Sequence, residues 1–324
     1  MRAVVTGAAG FIGSHLAQAL ARAGARVIAV DCLTDYYDPA RKRANLEVLG
    51  QYPLVEIVTG DLLDLDLVGM VEGADVVFHQ AGQPGVRLSW DDGFPIYSER
   101  NILATQSLLE AARSTRLPRF VYASSSSVYG DQDRYPCTED MVPRPHSPYG
   151  VTKLAAEHLC RLYSANYGLS TVSLRYFTVY GPRQRPDMAI QRLVQCAVDG
   201  DEFEVFGDGS QVRDFTYVGD IVAANLRAAG ADVAPGTFVN ISGGSEASLA
   251  ETIELVARAS GAELNLGHGP AKPGDVARTG GSPELAHRLL GWEPRTDLRT
   301  GITRQLEWYR NRSAKKLSRD GTAA

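Results

Sequence analysis

Short β-branched apolar runs alternate with helical patterns through the first half of the chain, and that alternation leaves few folds open. RAVVTG (2–7), ARVIAVD (25–31), LVEIVTGD (54–61), ADVVFHQA (74–81) and RFVYASSS (119–126) each end in turn-forming or small polar residues. Between them lie helical periods such as GSHLAQALARAG (13–24) and ILATQSLLEAARST (102–115). Continuous apolar runs separated by helices predict a parallel sheet covered on both faces. Right-handed crossovers then make this a Rossmann-type, doubly wound α/β sheet. From about residue 176 the alternation breaks down and Pro- and Gly-containing loops become common, with GTFVNIS (236–242) as one more strand.

Composition narrows the partners. The net charge of −5 argues against nucleic acid or an anionic membrane as a partner. Cys32, Cys137, Cys160 and Cys196 lie far apart and form no C-x-x-C pair, so free thiols are expected and no metal site. There is no run of 18 apolar residues to span a bilayer and no signal-peptide pattern in MRAVVTGAAG, so a cytoplasmic protein is expected.

The turn after the first run reads VVTGAAGFIGSH, with Gly7, Gly10 and Gly13 between strand and helix. Glycines there let the backbone approach a pyrophosphate, and the helix N-terminus offers unpaired N–H groups. Asp31 closes the second run, 18 residues after Gly13. A carboxylate at that place accepts from ribose hydroxyls and repels a 2′-phosphate, which favours NAD over NADP. Asp61, at the end of the third run, either accepts from the adenine amino group or caps the following turn. Phe11, Ile12, Leu62 and Ala81 complete the candidate cofactor set.

YGVTK sets Tyr149 and Lys153 four apart, on one face of a helix. An ammonium near a phenol stabilises the phenolate, so Tyr149 can act as a base near neutral pH. The serines Ser124 to Ser127 end the preceding strand, and one of them can bond the same substrate oxygen.

TGAAGFIGSH, SSSSVYG, YGVTKLAAEH, LRYFTVYGPRQRPDMA and VFGDGSQVRDFTYVGDIV together resemble the extended short-chain dehydrogenase/reductase family, to about residue 310. Within it the chain most resembles the NAD-dependent UDP-glucuronate 4-epimerases. The resemblance implies Tyr149 as base, Lys153 as its partner and cofactor anchor, Ser125 as the assisting hydroxyl, and Asn101 in the cofactor shell. Arg87, Arg213 and Asp275 match positions that face the UDP-sugar. Other readings stay open: a helix cap for Asn101, pairing with Asp214 or Asp220 for Arg213, and a turn for Asp275. Two positions depart from the family pattern: Gly82 stands where alanine is usual, and Gly280–Gly281 where an Ala-Asp pair is common.

The expected organisation is an NAD-binding domain from 1–175 and 212–240, and a smaller α/β substrate domain from 176–211 and 241–311. Residues 312–324 are expected to form a flexible tail. A homodimer is expected through the helices containing 101–115 and 149–166.

FTVYGPRQRPDMA (177–189) puts two arginines on a proline-stiffened loop. Arg185 is expected to hold a substrate carboxylate by a planar two-pronged contact, with Thr178, Ser126 and Ser127 adding neutral hydrogen bonds. The alternative for Arg185 is a salt bridge to Asp187. Arg183 is expected to face solvent, and Arg192 either the pocket or water. The expected reaction is therefore C4 epimerisation of UDP-glucuronate and UDP-galacturonate. The alternatives are a neutral UDP-hexose epimerase, a UDP-glucuronate decarboxylase and a non-catalytic NAD-binding scaffold. Decarboxylases of the family carry a glutamate where Ser127 stands, and dehydratases an Asp-Glu pair at Ser126–Ser127.

Overall fold

The computed structural model describes residues 1–270 and 276–320, with the side chains of the final helix described as far as Ser313. Seven strands form one parallel sheet: β1 (Arg2–Thr6), β2 (Arg26–Asp31), β3 (Val55–Thr59), β4 (Val76–His79), β5 (Arg119–Ser125), β6 (Thr171–Tyr176) and β10 (Thr237–Ile241). Their order is β10-β6-β5-β4-β1-β2-β3. Val4 pairs with Ile28 on one side and Val77 on the other, so β1 is central. Successive residues of β1 point to opposite faces. Val5 joins a core with Leu16, Leu20 and Ile221, while Val4 joins another with Leu108, Leu109 and Phe120. This is the two-faced burial that the apolar runs predict.

Chain order reverses between β1 and β4, which opens a crevice at their carboxyl ends. β6 is a strand the sequence pattern did not single out. Ser173 and Arg175 interrupt its apolar run, yet every residue of it is buried. Arg175 is buried because a carboxylate meets it there, as described below.

A third core collects Tyr180, Ile190, Leu193, Val194, Phe203, Phe215, Ile302 and Leu306. Around it stand a three-stranded sheet of β7 (Thr178–Tyr180), β9 (Val212–Tyr217) and β11 (Ser245–Ser248), and a two-stranded sheet of β8 (Phe203–Phe206) and β12 (Leu266–Gly269). The closing helix Leu298–Asp320 packs on this core and takes in much of the stretch read as a tail. Among the described residues no helix is long and apolar enough to cross a membrane.

Candidate active site

The glycine turn is closed so tightly that side chains are excluded. Gly7 has φ +68°, and a Cβ on it would lie 2.8 Å from the Ala81 nitrogen. A Cβ on Gly13 would lie 2.1 Å from the Gly7 carbonyl oxygen. The helix Phe11–Arg22 starts directly after the turn, at the crevice, with its first N–H groups unpaired by side chains. Gly7, Gly10, Phe11, Ile12, Gly13, Asp31, Asp61, Leu62 and Ala81 all line one cleft.

Asp31 ties the wall of this cleft together. Its carboxylate accepts from Ala9 N at 3.0 Å and Leu33 N at 2.8 Å, which leaves lone pairs for a ligand hydroxyl. Asp61 accepts from Leu63 N at 3.0 Å, which caps the following turn, and also lines the cleft. Tyr36, Tyr37 and Lys42 also line it and escaped the sequence reading. The Tyr-Tyr pair beginning five residues past the second strand was the available signal. Lys42 donates to Thr34 O at 2.8 Å and Thr34 Oγ1 at 2.7 Å, and burial lowers its ammonium pKa.

Asn101 is a clamp and not a cap. It sits, buried, in a π-helical turn (Ser98–Leu103) ahead of the helix Ala104–Ser114. Its Oδ1 accepts from Gln83 N at 2.7 Å, and its Nδ2 donates to Gln83 O and Thr152 Oγ1. Gly82 faces that oxygen: a Cβ there would stand 2.8 Å from Asn101 Oδ1. A buried chain reaches the same segment from β1. Ala81 N donates to Thr6 Oγ1, which donates to His79 Nδ1; His79 Nε2 donates to Thr105 Oγ1, which donates to Asn101 O. Burial drives the His79 pKa down to about 3, with Lys153 adding to the effect, so the imidazole is neutral.

The helix Pro148–Tyr167 carries the catalytic candidates. Ser147 caps it by accepting Gly150 N at 3.1 Å, and Pro148 takes the first helical position. Lys153 is buried and donates to Ala123 O at 2.7 Å, and burial lowers its pKa to about 8. Burial pushes the Tyr149 phenol up, while the Ser125 hydroxyl and the Arg185 charge pull it back. Ser125 accepts from Ser127 N at 3.1 Å at the start of the short 3₁₀ turn Ser126–Val128. One turn beyond Lys153, Glu157 meets Arg175 of β6 in a two-pronged pair at 2.6 and 2.9 Å, both nearly fully buried. Ser124 donates to the same carboxylate at 2.8 Å, and Arg175 also donates to Tyr129 OH at 2.7 Å.

The arginine loop is only partly as expected. Arg185 does line the cleft and acts electrostatically on Tyr149. It also makes the salt bridge held open for it: Nε and Nη2 reach Asp187 at 3.0 and 2.9 Å. Burial opposes its charge, but Asp187 outweighs that and raises its pKa. Nη1 stands outside this pair. Arg183 does not face solvent. It is half-buried with φ +64°, and Nη2 donates to Gln18 Oε1 at 2.8 Å, because the loop folds back onto the helix Phe11–Arg22. Arg192 faces neither open water nor the cofactor cleft; its guanidinium stacks on Phe203 at 5.1 Å.

Thr178 opens β7, half-buried. Arg87 is exposed and lies over the Phe206 ring at 4.8 Å, so it bridges the 85–94 loops to β8. Arg213 lies on β9, with Nη1 donating to Val212 O. Asp214, offered as its surface partner, is buried and accepts from Gly243 N and Gly281 N at 2.9 and 3.1 Å. Gly281 is required by close packing, since a Cβ there would come within 2.4 Å of the buried Phe177 ring, whereas one on Gly280 would meet the movable end of the Glu246 side chain. Asp275 lies outside the described residues. Among the described residues no cluster of three His, Cys, Asp or Glu could hold a metal.

Residues 3–242 match the NAD dependent epimerase/dehydratase family. The chain belongs to that family. The UDP-glucuronic acid 4-epimerase of Bacillus cereus, solved with UDP-glucuronic acid and NAD, is 39% identical with a TM-score of 0.93. The match covers 96% of this chain and 99% of that one. The UDP-glucuronate 4-epimerase of Thermodesulfobacterium geofontis is 35% identical, over 94% of this chain and 95% of the relative. The UDP-glucose 4-epimerase of Mycolicibacterium smegmatis is 36% identical, over 97% of this chain and all of the relative. Family membership makes NAD the cofactor of this fold, and the closed glycine turn with Asp31 opposite it suits a dinucleotide.

Proposed function

We propose that the protein interconverts UDP-glucuronate and UDP-galacturonate at C4 without losing the carboxyl group. The observation that carries this reading is Arg185: a guanidinium on the cleft wall, close enough to Tyr149 to influence its titration. The glycine turn with Asp31 and Asp61 would hold NAD, which would supply the hydride acceptor and donor for C4. Tyr149 takes the proton of the C4 hydroxyl, Ser125 holds that oxygen, and the Lys153 ammonium stabilises the phenolate. Rotation of the 4-keto sugar about its pyrophosphate presents the other ring face, and Tyr149 gives the proton back. Arg213 and Arg87 hold the nucleotide end during that swing.

A 4-keto uronate is a β-keto acid. If its C5–carboxyl bond breaks, the electron pair passes into the carbonyl as an enolate, and a proton added at C5 yields carbon dioxide and a 4-keto pentose. Holding the carboxylate near the plane of the carbonyl prevents that alignment. Arg185 does so through its outer N–H groups, with Thr178, Ser126 and Ser127 adding neutral bonds. One charge-assisted hydrogen bond, worth about 1.5–3 kcal/mol, changes the partition by roughly tenfold or more.

A second reading, epimerisation of neutral UDP-hexoses, is favoured by the Arg185–Asp187 pair, which already balances the guanidinium charge. Incubation with UDP-glucuronate and, separately, UDP-glucose, with the sugars identified by NMR, decides between them. Turnover of UDP-glucose alone refutes the uronate reading. We also read Val151, Leu162 and Tyr167, exposed on the helix Pro148–Tyr167, as part of a homodimer face.

A further inference from the structure

Beneath the arginine loop lies a buried amide cluster that no catalytic role requires. Gln184, Gln191 and Gln305 come from the loop, from the helix Ala189–Asp199 that follows it, and from the closing helix. All three are sealed from solvent. Gln305 Oε1 accepts from Gly181 N at 2.8 Å. Gln305 Nε2 donates to Gln184 Oε1 at 2.9 Å and to Gln191 Oε1 at 3.1 Å. Gln184 in turn donates to Val179 O at 2.9 Å. One side chain from a helix more than 100 residues downstream thus holds the start, the middle and the far end of the loop. Both donors and one acceptor of its amide are used in doing so.

We propose that Gln305 is a positioning residue that fixes Arg185 for carboxylate recognition and so suppresses decarboxylation; this rests on the proposed uronate reading. Arg185 sits between two of the residues Gln305 grips, Gln184 and Gln191. The loop also turns on itself, with Gln184 N donating to Gly181 O at 3.1 Å and Met188 N to Arg185 O at 3.2 Å, but these bonds are internal and do not fix it against the rest of the domain. Pro182 has no N–H to give, and its carbonyl bonds His15 on the opposite flank at 2.8 Å. Arg183 in the left-handed region adds local strain that the surroundings must sustain. A buried polar staple is a costly way to fill this space unless the loop position matters, since an unmatched amide there is penalised. A guanidinium displaced by as little as 1 Å loses its aligned contact with a planar carboxylate. Gln305 touches no reacting atom. It acts through the loop.

The test compares wild type, Gln305→Met, Gln305→Asn and Arg185→Ala, each as the NAD-loaded enzyme with UDP-glucuronate. The readouts are KM, kcat, and the ratio of pentose nucleotide to epimerised uronate by NMR, with melting curves alongside. Gln305→Met keeps the length and loses the bonds. Gln305→Asn keeps a polar amide but is one methylene too short to span the loop. Either variant suffices if the other does not fold. The expected result is a KM raised on the order of tenfold, a smaller change in kcat, and a higher pentose ratio in the same direction as Arg185→Ala. If Arg185→Ala raises KM and the pentose ratio while the folded Gln305 variants do not, the staple has no positioning role and the proposal fails. If Arg185→Ala changes neither, the carboxylate reading itself fails. A loss of melting temperature with KM and pentose ratio unchanged assigns Gln305 to stability alone and also overturns the proposal.

Discussion

Replacing Glu157 with leucine removes the carboxylate from a pair whose members are 1% and 2% exposed. The Arg175 guanidinium would then stand in the core with Tyr129 OH as its remaining hydrogen-bond partner, between the rings of Tyr129 and Phe238. Breaking such a pair by removing one partner costs about 3–5 kcal/mol, because the orphaned charge keeps its full desolvation penalty. For a chain of 324 residues, that corresponds to a fall in melting temperature of roughly 4–7 °C. Glu157→Gln separates charge from volume and should still cost about 2 kcal/mol or more, since the amide puts a donor NH2 where one of the two acceptor oxygens met the guanidinium. The double variant Glu157→Leu with Arg175→Met removes both charges. It should be more stable than the sum of the single losses by about 2 kcal/mol or more. Urea and thermal unfolding of wild type, Glu157→Leu, Arg175→Met and the double variant measure this cycle. A Glu157→Leu loss below about 1 kcal/mol, or a double variant equal to the sum, refutes the claim that breaking the pair strands a buried charge.

Lys153 gives a pH test. Burial sets its pKa at about 8, below the 10.5 of the unfolded chain, so the unfolded state binds more protons between those values. The stability difference between wild type and Lys153→Met should therefore rise from pH 8 to about 10.5, by about 3 kcal/mol in all; a flat difference in urea unfolding refutes it. Tyr149→Phe should abolish turnover while NAD still co-purifies, which release of the nucleotide on denaturation will show. Gly7→Ala forces a side chain into a φ +68° turn 2.8 Å from the Ala81 nitrogen, so NAD content should fall sharply in the purified protein.

Much of the site was legible in the chain because it rests on local rules. Glycines at 7, 10 and 13 are needed wherever a strand turns into a helix this tightly, and the space at Gly13 leaves no alternative. Tyr149 and Lys153 share a helix face by spacing alone. Alternating β-branched runs and helices committed the first half to a doubly wound sheet, because runs apolar on both faces must be covered on both faces. Other features depended on residues far apart in the chain. That Arg175 could be buried in β6 followed from Glu157, which is near only once the helix docks. That Arg183 turns inward followed from Gln18, 165 residues earlier. Arg192 found its place on Phe203 only after β8 was laid beside its helix. A guanidinium takes whatever acceptor or ring the finished fold brings within reach, and sequence spacing carries no information about that partner. Periodicity and glycine chemistry thus determined the sheet, the glycine turn and the helix face shared by Tyr149 and Lys153. The tertiary structure alone decided which charges are free to meet a substrate, because pairing distances exist only after packing.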